Sequence, residues 1–179
     1  MPTVFARENA SSSATVARTP EWMISFGEKG KELTSSGVDK FDGYVELYGW
    51  HSESSRYVSG DVSGALFTSA AVKNSDLIVV LPHGEHEPKL ELWMYQGKNI
   101  KEVNIVRLGW TEGEIKVFQQ IKFKVVRLIE YQQNVQYCVF YAQVQSKNND
   151  ITVFKQQDGT ASGHKISDIN FRENTLSFK

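Results

Sequence analysis

Residues Lys73–Tyr95 read KNSDLIVVLPHGEHEPKLELWMY, and this stretch decides how the rest of the chain is organised. It holds an apolar run, Leu77–Leu81, then a polar turn, Pro82–Pro88, and then the segment Lys89–Tyr95, in which apolar and other residues alternate. This alternation predicts a β-strand at Lys89–Tyr95. The polar turn is therefore either a candidate metal site or the junction between a covering element and a sheet.

The apolar run Leu77–Leu81 is compatible with two structures. Its β-branched residues favour a strand. The preceding residues Asn74–Asp76 are good helix caps, however, and Pro82 and Gly84 are good helix stops. The run is thus either a strand or a two-turn helix that covers one mouth of a barrel.

The turn contains His83, Glu85 and His86, a grouping of potential ligands that is similar to the metal-binding strand of a cupin. In a strand, His83 and Glu85 would share one face while His86 pointed to the other. The neighbouring prolines and glycine favour a turn over a strand. The other histidines, His51 and His164, fall in predicted loops. We therefore predict a solvated turn and assign no metal, cofactor-binding or catalytic residues; a cupin-like metalloprotein is the least favoured alternative.

The composition indicates one globular domain with a substantial core. The chain has 179 residues, of which 40% are hydrophobic and 23% are charged. Its net charge of -1 provides no general attraction to nucleic acid or to an acidic membrane. Cys138 is the single cysteine, so no intramolecular disulfide forms, and its apolar surroundings predict a buried thiol.

The sequence predicts neither a membrane span nor a secretory signal. No apolar run approaches the roughly 18 residues that a membrane helix requires. The N-terminal residues lack the apolar core of a signal peptide, so export would use another route. Met1–Gly37 is rich in small and polar residues and is predicted to be a partly flexible arm and loop, with a first strand or anchor at Glu21–Phe26. Residues 38–179 are predicted to form a single β-domain.

From Phe41 onward the pattern is that of short strands separated by turns. Besides Lys89–Tyr95, the predicted strands are Tyr44–Trp50, Glu102–Trp110, Ile115–Tyr131, Gln136–Val144, Ile151–Phe154, Lys165–Phe171 and Thr175–Phe178. The predicted loops and turns are His51–Gly64, Gln96–Asn99, Thr111–Glu114, the turn at Asn134, and Ser146–Asp150. About nine or ten strands at this spacing predict an antiparallel sandwich or barrel.

Two further groups of residues suggest binding. The four tryptophans, if displayed on a sheet, could stack sugars or bases, although core packing and subunit contact are favoured for them. Several cations could line a groove for single-stranded nucleic acid, but nearby glutamates weaken the field and favour solvated strand faces. The residues concerned are Trp22, Trp50, Trp93 and Trp110, and Lys116, Lys122, Lys124 and Arg127.

The stretch around the turn resembles the haemolysin-coregulated proteins, which are the tube proteins of the type VI secretion system. In this resemblance Ser75–Leu81 corresponds to a short helix, Gly84–His86 to a Gly-x-His turn, and Pro88–Trp93 to the next strand. A second register places Lys122–Ile129 as the strand after the helix. Further similar segments are Gly43–Trp50, Tyr141–Ser146 and Lys165–Lys179.

The resemblance implies a mainly β subunit, an antiparallel β-barrel or two-sheet sandwich with one short flanking helix. Six copies would form a ring, and rings would stack into the inner tube of a contractile injection machine, as in the similarly shaped phage tail-tube proteins. The implied partners are further copies of the chain and sheath, spike and effector proteins. The implied route runs from the bacterial cytoplasm through the machine, with no enzymatic activity. A β-sandwich that binds carbohydrate or protein is the alternative.

Overall fold

The computed structural model describes residues 19–27, 33, 40–56, 72–111, 113–154, 161–171 and 175–179. These residues form nine strands and one helix, α1 (Glu87–Tyr95), which lies between the fourth and fifth strands. The strands are β1 (Trp22–Phe26), β2 (Val45–Glu46), β3 (Gly49–Arg56), β4 (Val72–Pro82), β5 (Asn99–Thr111), β6 (Glu114–Gln133), β7 (Tyr137–Phe154), β8 (Ala161–Asn170) and β9 (Thr175–Phe178).

All strand pairings are antiparallel and belong to one sheet in the order β2-β1-β5-β6-β7-β4-β3, with β8 and β9 added beside β7. The sheet branches at β7, because residues 137–142 of that strand pair with β4 whereas residues 146–154 pair with β8. The 20-residue β6 and 18-residue β7 are far longer than the usual five or six residues of a strand, and they form the central hairpin.

The segment between β2 and β3 connects the two sides of the curved sheet. The Leu47 N–H donates to the Trp22 carbonyl and the Tyr48 N–H donates to the Val80 carbonyl, each at 2.9 Å. The strand ladder itself is not closed in the described part of the chain. The predicted class is confirmed: the protein is mainly β and antiparallel, with one short flanking helix.

The sheet encloses a single large hydrophobic core. Phe123 and Phe140 are fully buried within it, and Leu90 and Trp93 of α1 pack into the same cluster. A smaller cluster of Met23, Val106 and Leu108 lies outside the main core. The helix therefore belongs to the core and is held by it, since an isolated helix of nine residues would be marginal in water.

An irregularity in β6 decides which residues face the core. Val125 has a positive φ of 53°, rare for a β-branched residue. Ile121 and Phe123 are buried before it, and Val126 and Leu128 are buried after it. Because side chains alternate along a strand, one irregular residue switches the buried set from odd-numbered to even-numbered positions.

The predicted strand at Lys89–Tyr95 is wrong, because this segment forms α1. Pro88 lies in the first turn, where a missing N–H costs nothing, and Leu90 and Trp93 are three residues apart on one buried face. After the helix, Gly97 adopts a φ of 61°, which favours glycine. The predicted hairpin turn at Gln96–Asn99 is therefore the end of a helix and the start of β5.

The helix implied for Ser75–Leu81 is also wrong, because these residues lie in β4. Strand β4 is paired on both sides, with β3 and with β7. Two ladders of hydrogen bonds and the β-branched residues of the run outweigh the helix-capping signal at Asn74–Asp76. The strand at Pro88–Trp93 implied by the same resemblance is wrong for the reason given above.

Two predicted loops are strands in the described part of the chain. Residues His51–Arg56 of the predicted loop His51–Gly64 continue β3, while residues 57–71 lie outside the described ranges. The predicted loop Ser146–Asp150 is the middle of β7, where β6 and β8 pair with it from both sides. Its polar side chains suggested a loop, but backbone pairing does not require apolar side chains.

Two of the later strands and the turn between them are placed as predicted. Glu102–Trp110 and Ile115–Tyr131 lie within β5 and β6, and the turn between them falls at Thr111–Glu114.

Most of Met1–Gly37 lies outside the described residues, and its flexibility stays a prediction. Within that range β1 is an interior strand, between β2 and β5. The domain boundary at residue 38 likewise stays a prediction.

Candidate assembly surface

The outer face of β4 and β7 carries an apolar groove. Along β4, Leu77, Val79 and Leu81 point into the core, so Ile78 and Val80 point outward. The register pairs Ile78 with Tyr141 and Val80 with Val139 on the neighbouring β7. Each of these outward side chains is half-buried.

We call this feature the outer groove; its volume is about 670 Å³. Its lining comes from Tyr48, from strands β4 and β7, and from the end of β6 with the following turn. The described residues that line it are Tyr48, Ile78, Val80, Gln132, Gln133, Asn134, Tyr137, Val139 and Tyr141.

The chemistry of the outer groove is that of a protein contact. None of these nine lining residues is charged, although 23% of the chain is. Three are tyrosines, and Tyr48 is 56% exposed. Depletion of charge with enrichment of tyrosine is characteristic of the buried centre of protein–protein interfaces.

The turn between β4 and α1 adjoins one end of the outer groove and is held by His83. Its Nδ1 lies 2.9 Å from Glu87 Oε2, and its Nε2 lies 2.7 Å from the Asn134 carbonyl oxygen. His83 therefore connects the first turn of α1 to the turn between β6 and β7. The hydrogen bonds to Glu87 and to Asn134 both raise the pKa of His83.

Glu87 is the buried acid of this cluster. Its residue is only 7% exposed, and the Tyr131 hydroxyl donates to Oε1 while His83 contacts Oε2. Burial raises the pKa of Glu87, but the hydrogen bonds from Tyr131 and His83 outweigh burial, so the pKa lies below its ordinary value. Burial, together with the Glu87 charge, raises the pKa of Tyr131. Glu87 is therefore a carboxylate held between two donors.

His86 points the opposite way from His83, into the protein. It is buried, its Nε2 has no described hydrogen-bond partner, and burial lowers its pKa despite a hydrogen bond to the Pro82 carbonyl oxygen. A Cβ on Gly84 would lie 2.9 Å from His86 Cε1, so this glycine allows the imidazole ring to pack against the backbone. Cys138 is buried, as predicted, and burial raises its pKa to about 12.

The structure does not bring the predicted ligand types together as a metal site. His83 contacts Glu87 and Asn134, whereas His86 is turned into the protein. Among the described residues, no three His, Cys, Asp or Glu side chains are placed to hold a metal ion. His51 and His164 are elsewhere, the first 4.0 Å from Glu53 and the second 2.9 Å from Asp150.

The tryptophans do not form one exposed platform. Trp22 and Trp50 contact each other edge to face, with ring centroids 5.7 Å apart, and both pack against the core. Trp93 is buried, and Trp110 is 63% exposed at the far end of β5. Trp22, Trp50 and Trp93 serve in core packing, the role that the sequence favoured, whereas Trp110 does not.

The cations of β6 are interleaved with polar partners. Lys124 lies opposite Glu102 in the β5–β6 register. Arg127 donates from Nε to Asn99 Oδ1 at 3.0 Å. Lys116 and Lys122 are half-buried on the same strand. These surroundings match the solvated strand faces predicted from the sequence.

The only helix among the described residues, α1, is nine residues long, too short to cross a bilayer.

The fold defines a class: a curved antiparallel sheet with a single short helix inserted between its fourth and fifth strands. Solved structures of type VI secretion proteins share this fold. One, described as a type six secretion system protein, superposes with a TM-score of 0.74 at 16% identity, covering 89% of this chain and all of the other.

Two further structures show the same likeness. Hcp2 of Salmonella typhimurium superposes with a TM-score of 0.60 at 11% identity, covering 86% of this chain and 98% of its own. A type VI secretion system effector of Yersinia pestis superposes with a TM-score of 0.62 at 14% identity, covering 83% and 98%. The predicted resemblance to haemolysin-coregulated proteins is thereby confirmed for the fold. No protein-family model and no curated protein sequence matches the chain.

Sequence reasoning singled out the histidines of the turn but missed their partners. Glu87 was grouped with the turn, and Tyr131 was only the last residue of a long predicted strand. The signal that could have indicated the outer groove was the continuous apolar run Leu77–Leu81. An antiparallel strand with one wet face alternates, whereas a continuous apolar run indicates that both faces are covered.

Proposed function

We propose that this chain is a structural subunit that forms hexameric rings, which stack into the inner tube of a type VI secretion machine. The observation that carries the proposal is the outer groove, a neutral, tyrosine-lined surface on a sheet whose other face is already the core. The fold shared with type VI secretion proteins supports it.

In this role the outer groove is covered by a second copy of the chain. Covering it removes apolar surface from water, at about 25 cal/mol for each Å². A closed ring uses two different surfaces on each copy, because every subunit meets its neighbours head to tail. Among the described strands, β3 is hydrogen-bonded only to β4, and in this proposal its other edge meets a neighbouring copy. The ring contact combines this edge with the outer groove.

The subunit has no catalytic task in this proposal. The lumen of the tube carries effectors, and the outer partners of the tube are the sheath and spike proteins of the machine. The subunit is made in the bacterial cytoplasm and leaves the cell through the machine.

The experiment compares two tyrosines that are both exposed. Tyr48 is 56% exposed in the outer groove, and Tyr95 is 76% exposed at the end of α1, outside it. Tyr48→Asp should raise the concentration for half-assembly about tenfold or more, as measured by light scattering, whereas Tyr95→Asp should assemble like wild type. Negative-stain images should show rings with a central hole for wild type. Equal effects of the two variants would remove the outer groove from the proposal.

A second candidate function follows from the same lining. Tyr48, Tyr137 and Tyr141 provide stacking surfaces, and the amides of Gln132, Gln133 and Asn134 provide hydrogen bonds, a combination suited to a carbohydrate. A monomeric chain that binds an oligosaccharide by calorimetry, with loss of binding in Tyr48→Asp, would favour this candidate over the tube subunit.

A further inference from the structure

The turn between β6 and β7 presents an apolar side chain to solvent. Val135 at its tip is 97% exposed. Asn134 fixes the shape of the turn, since its Oδ1 accepts from the backbone N–H groups of Gln136 at 2.8 Å and Tyr137 at 2.9 Å. The Asn134 N–H in turn donates to the Tyr137 carbonyl at 3.1 Å. The position of Val135 is thus set before any partner arrives.

His83, which lies outside the β6–β7 hairpin, also holds this turn. Its Nε2 lies 2.7 Å from the Asn134 carbonyl oxygen, and its Nδ1 lies 2.9 Å from the Glu87 carboxylate. Glu87 is itself fixed in the first turn of α1 and accepts from Tyr131 of β6. The turn is therefore anchored to the helix as well as to its own hairpin.

We propose that residues 134–136 are a preformed docking element that seats Val135 against a second copy of this chain, with His83 as the positioning residue. This inference rests on the proposed function and assigns part of the ring contact to a particular turn. The turn is continuous with the outer groove, because Asn134 and Tyr137 belong to the lining of the groove.

The chemistry of the turn favours a protein surface as its occupant. Residues 132–137, QQNVQY, carry no charge, so they offer nothing to phosphates or to an acidic membrane. An element that is already ordered loses little conformational entropy on binding. A second copy is the partner that the outer groove next to the turn already requires.

The protonation of His83 makes this docking sensitive to pH. Both of its partners, a carboxylate and a carbonyl, accept hydrogen bonds, so only the doubly protonated ring donates to both. The neutral ring can donate only one of the two hydrogen bonds. The β6–β7 turn is then held less firmly to α1. The titratable groups that face this cluster are Glu87 and Glu91 of α1, Tyr131 of β6, Cys138 of β7, and Glu85 and His86 of the turn itself.

The first experiment changes Val135 in the full chain. Val135→Asp should raise the concentration for half-assembly about tenfold or more by light scattering, while Val135→Ile should assemble like wild type. Thermal melting should be the same for both, because the side chain is almost fully exposed. If wild type assembles and Val135→Asp assembles equally well, only the docking element is overturned. A wild-type chain that stays monomeric overturns the proposed function as well.

The second experiment tests His83 through its pH profile. Between about pH 5.5 and pH 8, the wild-type concentration for half-assembly should rise roughly two- to tenfold. His83→Gln cannot change its charge, so its profile should be flat over this range. A merely structural role for His83 would shift the whole profile without flattening it. An identical pH dependence in the two proteins would overturn the positioning role.

Discussion

The two faces of β4 have nearly the same composition but different surroundings. Val79 on the inner face is packed among the core side chains and is fully buried. Val80, the next residue, lies in the outer groove and is only half-buried. Most antiparallel strands place polar residues on a face that contacts water, so the valine at position 80 is unusual for a partly exposed face.

The subunit therefore covers only one of the two apolar faces of β4 with its own side chains. The inner face is packed within the main hydrophobic core. The outer face remains partly exposed, is uncharged and is rich in tyrosine, a composition that is typical of protein contacts. In the proposed function, another copy of the chain covers this outer face.

The largest expected effect lies on the inner face. Phe140→Ala removes a fully buried ring that also packs against Tyr131 at a centroid distance of 4.8 Å. It should lower the free energy of unfolding by about 3–5 kcal/mol in urea titrations. Tyr141→Ala, the adjacent outward residue, should cost the unassembled subunit clearly less. Equal losses would break the distinction between the faces.

An intermediate effect comes from the same change made on both faces. Val79→Thr places a hydroxyl in the core and should cost about 1–3 kcal/mol of folding free energy. Val80→Thr should cost less than about 1 kcal/mol in the unassembled subunit but should weaken assembly. Urea titration and light scattering on both variants measure the two effects separately. The comparison fails if Val80→Thr unfolds the subunit as readily as Val79→Thr.

A similar or smaller loss of stability is expected at the edge of the core, where the Tyr131 hydroxyl donates to the buried Glu87. Tyr131→Phe keeps the ring against Phe140 and removes only the hydroxyl. It should cost about 1–3 kcal/mol, because a buried carboxylate loses one of its donors. Thermal denaturation at neutral pH checks this value. An unchanged melting temperature would mean that Glu87 is stabilised by other groups.

The smallest effect is the dependence of stability on pH through His83. The raised pKa of His83 means that the folded chain holds this proton more tightly than the unfolded chain. The contribution is complete below the unfolded pKa of about 6.5 and is lost as the pH rises through the raised folded value. The difference in melting temperature between wild type and His83→Gln should therefore shrink toward alkaline pH. A difference that grew instead would reverse the assigned sign.

The sequence was sufficient for the β class, for the turns at Thr111–Glu114 and Asn134, and for the strands Glu102–Trp110 and Ile115–Tyr131. In these places local alternation and turn residues agree with the final structure. The exchange of helix and strand within Lys73–Tyr95 could not be predicted in this way. Leu77–Leu81 becomes a strand because two neighbours pair with it, and these neighbours are distant in sequence.

The polar cluster was only partly predictable for a similar reason. His83 and Glu87 are only four residues apart, so the local turn before α1 is enough to bring them together. Tyr131 and Asn134 reach them only through the fold, across separations of 44 and 51 residues. The face switch at Val125 was also hidden, since nothing in the local pattern marks a positive φ.

The most direct test is the native mass of the wild-type chain in solution, measured by native mass spectrometry. The account predicts a closed species of six times the 20.3 kDa chain mass, which Tyr48→Asp shifts toward the monomer. A single species at 20.3 kDa, retained at the highest concentration examined, would contradict it.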